Sequence, residues 1–92
     1  MSYRALQLCS SGGAYEALPD RPVQLDLADV RGRAERAGRK VVDARVMLIL
    51  PGEPEVTLTR GGKIVVKTRD AEAAQRSFQA MISLIESPTS PG

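Results

Sequence analysis

The amino-acid sequence predicts an α+β domain, a curved antiparallel sheet with two helices on one face, in the order β-α-β-β-β-α. Three observations carry that expectation. Val56-Thr57-Leu58-Thr59 alternates apolar and polar residues, as a strand with one wet face does. Two turn signals, Pro51-Gly52-Glu53-Pro54-Glu55 and Gly61-Gly62, separate apolar segments short enough to be hairpin strands. Two further segments carry apolar residues at helical spacing. Because the second face of Val56–Thr59 is polar, both helices are expected on the other one.

The elements follow in chain order. Tyr3-Arg4-Ala5-Leu6-Gln7-Leu8-Cys9 nearly alternates and reads as the first strand. Ser10-Ser11-Gly12-Gly13 ends it, and the stretch to Pro22 reads as loop. Asp26 is placed to cap a helix whose apolar face is Leu27, Val30, Ala34 and Ala37, with Gly38 just past its end. Gly32 inside that helix costs about 1 kcal/mol against Ala, so the helix leans on its packing. The segment from Val41 to Leu50 ends in the apolar run Val46-Met47-Leu48-Ile49-Leu50. It reads as one strand, buried on both faces or meeting a partner. Val56–Thr59 and Ile64–Lys67 complete the meander. Asp70 caps the last helix, whose stripe is Ala74, Phe78, Met81, Ile82 and Ile85, and Ser87-Pro88 stops it. The domain is thus expected over 1–86, with 87–92 as a disordered tail.

Composition narrows the chemistry. The 92 residues suit one domain, and a chain this short buries roughly 60% of its unfolded surface, which favours pairing with another chain. There is no His, the commonest general base and metal ligand. One cysteine, Cys9, excludes an internal disulfide and a Cys/His zinc site, and without a His it has nothing to activate it as a nucleophile. The carboxylates form no acid/base pair with supporting residues, so no catalytic residue, cofactor or metal is expected. No apolar run reaches membrane-spanning length and no secretory leader is visible. With the unpaired thiol, that points to the cytoplasm. Thirteen basic and eleven acidic residues leave a net charge of +2, and ten of the thirteen cations are Arg.

Leu25-Asp26-Leu27, the central Met47, Gly62-Lys63-Ile64-Val65-Val66 and Asp70-Ala71-Glu72-Ala73-Ala74 occur in the order and spacing of one repeat of the TATA-box-binding protein family. The chain resembles that repeat from about Leu25 to Ile85, and its first strand more loosely. The resemblance implies a half-saddle whose open face meets the DNA minor groove. A saddle needs two repeats, so it also implies a homodimer. At the family's two intercalating Phe positions this chain has Val42 and Thr59, and its groove-contacting Val and Thr correspond to Val65 and Lys67. Thr57 stands where the family has a groove-facing aliphatic residue. The expectation is therefore DNA binding without Phe intercalation.

On this reading Arg60, Lys63 and Lys67 contact phosphates, while Thr57, Thr59 and Val65 lie on the groove surface. Val42, Val46, Met47 and Leu48 form the interface between copies. The alternative is a protein-interaction or assembly module with no nucleic-acid role, whose contact is the aliphatic Val42–Leu50 strand. The acidic Glu53 and Glu55 favour it. Asp43 and Arg45 are anomalous within an apolar strand and receive no role from the sequence. Arg33, Arg36 and Lys40 on the first helix are interleaved with Asp29 and Glu35, the pattern of a salt-bridged surface.

Overall fold

Alternation along the central strands decides which side chains meet the helices. In a computed structural model that describes residues 3–9 and 12–86, the chain forms β1 (Gln7–Leu8), β2 (Tyr15–Ala17), α1 (Leu27–Arg36), β3 (Val42–Asp43), β4 (Met47–Leu50), β5 (Val56–Thr59), β6 (Ile64–Val66) and α2 (Ala71–Glu86). The strands make one open, curved antiparallel sheet in the order β1-β2-β6-β5-β4-β3. Every second residue of β4, β5 and β6 is removed from solvent: Leu48, Leu50, Val56, Leu58, Ile64 and Val66. These meet Leu27, Val30 and Ala34 of α1 and Ala74, Phe78, Met81 and Ile85 of α2 in a single core. Two helices thus cover one side of the sheet.

Both helices begin as their residues dictate. The Asp26 side chain accepts from the backbone N–H groups of Ala28 and Asp29, and the Asp70 carboxylate accepts from Glu72 and Ala73. Gly38, at φ +81°, takes the left-handed position after α1 that favours glycine. The helices are joined by Arg33. Its guanidinium pairs with Asp29 at 2.7 Å and donates to the carbonyl oxygens of Leu84 and Ile85 at the C-terminal, electronegative end of α2.

The sheet has two strands more than the sequence reading, and both departures have a local cause. Val41–Leu50 is not one strand. It folds back as a β3–β4 hairpin, with Val42 opposite Ile49 and Asp43 opposite Leu48. The turn is built by Asp43, whose Oδ1 accepts from the Arg45 backbone N–H at 2.8 Å, while Arg45 sits at φ 70°. The other Asp43 oxygen accepts from Arg31 of α1 at 3.3 Å, so the two anomalous residues belong to a turn tied to a helix. The segment after Gly13, read as loop, contains β2, which pairs with both β1 and β6. The order is therefore β-β-α-β-β-β-β-α.

The N-terminal segment is locked to the β5–β6 turn. The Tyr3 hydroxyl donates to the Gly62 carbonyl at 2.6 Å, and its ring meets Phe78 edge-on at 5.6 Å. Burial first, then the negative charge of Glu86, pushes the Tyr3 phenol up to about 12. Gly62 is required at this point: its φ is +92°, and a Cβ there would lie 2.8 Å from the Val23 side chain. The expected tail at 87–92 lies outside the described residues, as do Ser10 and Ser11 of the loop after the first strand.

Candidate functional site

The side of the sheet away from the helices carries the candidate site. Register across the strands brings Val42, Ile49, Thr57, Val65, Glu16 and Gln7 into one transverse row. Met47 and Thr59 form a second pair beside it. The strand members of β4–β6 in these rows are half-buried, and Val42 is 49% exposed. Apolar and threonine side chains thus occupy the middle of a face that carries no helix.

Charge sits around this middle in balanced pairs. Lys63 Nζ lies 3.0 Å from a carboxylate oxygen of Glu16, and Lys67 Nζ lies 2.8 Å from one of Glu55. Both are cross-strand pairs: Lys63, leading into β6, reaches diagonally to Glu16 on β2, which lies opposite Val65, and Lys67 leaves β6 beside Glu55, whose carbonyl accepts the Lys67 backbone N–H at 2.9 Å. Such half-exposed pairs contribute at most about 1 kcal/mol each. Their larger consequence is that both lysines of the face are offset by carboxylates on it.

The sequence-predicted residues divide into three groups. Thr57, Thr59, Val65, Lys63 and Lys67 come together on the open side, with Val42 and Met47. The Thr59 hydroxyl is already used there, accepting from the Lys63 backbone N–H at 3.0 Å. Arg60 and Val46 stand apart, on two adjoining turns joined by the Arg60 N–H donating to the Val46 carbonyl at 3.1 Å; Val46 is 56% exposed. Leu48 does not belong to an interface: it is 1% exposed and packs under the helices, because alternation sends it to the side opposite Met47 and Ile49.

The sequence reading takes Ile49 only as part of the Val42–Leu50 strand and Glu55 only as part of an acidic turn, and it does not place Glu16 on this face. A signal for Ile49 was present, since period-two spacing from Met47 puts both on one side. Glu16 was hidden because its strand is only three residues long. Among the described residues, no group of three or more His, Cys, Asp or Glu side chains could hold a metal ion, and no helix is long and apolar enough to cross a membrane. No family model matches the chain, and neither a curated protein nor a solved structure is similar enough to it to count as a match.

Proposed function

We propose that this domain is a non-catalytic binding module that uses its open sheet face to pair with a second copy of itself. The observation that carries the reading is the in-register row Val42, Ile49, Thr57 and Val65, with the Lys63–Glu16 and Lys67–Glu55 pairs at its side. An apolar centre with polar, charge-balanced borders is the composition of a protein interface. The borders are also self-complementary. Each carries both signs, so a two-fold related copy can meet acid with base without an uncompensated charge. A polyanion gains less from lysines that carboxylates already offset, which favours a protein partner over a phosphate backbone.

Light scattering against concentration tests this. The wild-type chain is expected at twice the monomer mass, and Ile49→Asp or Thr57→Asp at the monomer mass with an unchanged far-UV circular dichroism spectrum. A wild-type mass equal to one chain throughout the concentration range would overturn the proposal. Thr57→Asp places its charge on an already polar position, so it keeps the test informative where Ile49→Asp disturbs folding.

A second reading is duplex DNA binding by the same dimer, with the fold as half of a saddle resembling a repeat of the TATA-box-binding protein family. What favours it is that Thr57, Thr59, Val65, Lys63 and Lys67 share one face, the positions the resemblance assigns to groove and phosphate. Titration of duplex DNA at two salt concentrations separates the readings. Salt-dependent affinity that falls in the Lys63→Glu, Lys67→Glu double variant selects DNA, and its absence selects self-association alone.

A further inference from the structure

At one end of the sheet the β3–β4 turn, the β5–β6 turn and the chain entering α1 converge on a cleft of about 440 Å³. Arg45 reaches it from the first turn and Arg60 from the second. Leu25 and Leu27 contribute its apolar wall. The convergence is held by backbone hydrogen bonds: Arg60 N–H to the Val46 carbonyl at 3.1 Å, and Leu25 N–H to the Arg60 carbonyl at 2.8 Å. The volume falls within the range of small-molecule sites, roughly 300–1,000 Å³.

Its charges are unequally engaged. Two carboxylates line it, Asp26 and Asp43. Asp26 Oδ1 accepts from the Ala28 and Asp29 amides at 3.1 and 3.3 Å. Asp43 Oδ1 accepts from the Arg45 amide, and its Oδ2 pairs with Arg31. The Arg45 and Arg60 guanidiniums, by contrast, have no ion-pair or hydrogen-bond partner among the described residues. A guanidinium offers a planar fork of donors that matches an oxyanion, and two forks on one cleft can share a single phosphate or one each of its edges. The neighbouring apolar wall suits a short hydrocarbon or ring attached to that phosphate.

We propose that this cleft binds a small phosphate monoester, with Arg45 and Arg60 on the phosphate and Leu25 and Leu27 against its organic part. The site is separate from the open sheet face, and its test does not depend on that face pairing with anything. Phenyl phosphate is a suitable probe, titrated into isotopically labelled protein with sodium chloride holding the ionic strength constant. Saturable NMR shifts at the Arg45 and Arg60 side-chain Nε–H groups and at the Leu27 amide are expected. The Arg45→Gln, Arg60→Gln double variant should lose the saturation while keeping its melting temperature, because both side chains are exposed and the Arg45 backbone bond to Asp43 is retained. A response that stays linear with concentration, or one that the double variant preserves, would overturn the proposal.

Discussion

The two sides of the sheet are made by alternate residues of the same few strands and could hardly differ more. On the helix side Leu58, Ile64 and Val66 are 0% exposed, and Leu48 and Leu50 are 1% exposed. On the other side their immediate neighbours Ile49, Thr57, Thr59 and Val65 stay half-buried. One residue of displacement along a strand moves a side chain from a packed interior to a surface. The lesson is a division of labour. The buried core is concentrated on the side under α1 and α2, and the opposite side lies outside it.

Adjacent substitutions test that division most sharply. Leu58→Ala is expected to cost about 3 kcal/mol, through lost transfer energy and the cavity beneath the helices. Thr57→Ala is expected to change stability by no more than about 0.5 kcal/mol. Urea titration of both variants measures the contrast as a shift in midpoint at constant slope. Comparable losses at the two positions would mean that the open side is also structural.

A smaller effect tests how the N-terminal segment is held to the sheet. Gly62→Ala forces a side chain into the left-handed region and against Val23 and Pro19, at a cost of about 2 kcal/mol. Differential scanning calorimetry should show a lowered Tm. A Tm unchanged from wild type would show that Val23 and Pro19 give way without cost, and that this corner is not fixed as the Tyr3–Gly62 bond suggests.

A third effect is confined to alkaline pH. The Tyr3 phenol holds its proton in the folded chain from its ordinary value of 10.0 up to about 12, chiefly because burial disfavours the phenolate. Over that interval the unfolded chain has lost a proton that the folded chain retains. The folded state binds more protons, so stability falls as pH rises. Below that interval Tyr3 contributes no pH dependence. Tyr3→Phe should remove its part of the alkaline decline and cost about 1 kcal/mol at neutral pH through the lost hydrogen bond to Gly62. An alkaline decline identical in wild type and Tyr3→Phe, measured by denaturant titration at stepped pH, would assign it to other groups.

Much of this architecture was legible before any coordinates, and the rest was hidden for identifiable reasons. Asp26 and Asp70 announced their helices because a short carboxylate side chain satisfies amides that the helix itself cannot. Gly61-Gly62 announced its turn because Gly62 needs a positive φ. The β3–β4 turn gave no such sign, since its positive φ falls on Arg45 rather than on Gly or Asn. Asp43 was the cue, an acid whose side chain replaces a turn hydrogen bond, but it stood within an apolar run and was read as part of it. The three residues of β2 are too few to show a period, and their pairing with β6 spans almost fifty positions of sequence.

The candidate site divides the same way. Alternation along Val56–Thr59 assigned Thr57 and Thr59 to a common side, and the family resemblance added Val65, as the structure has them. The sequence by itself determined where the helices start, which strand residues are apolar and which turns need glycine, because those depend on neighbours within a few residues. Only the tertiary structure decided that Lys63 meets Glu16 and Lys67 meets Glu55, that Leu48 lies under the helices, and that Arg45 and Arg60 line one cleft. These are matters of register between strands and of which turns end on the same side, and they follow from the chain's closure in space rather than from any local preference.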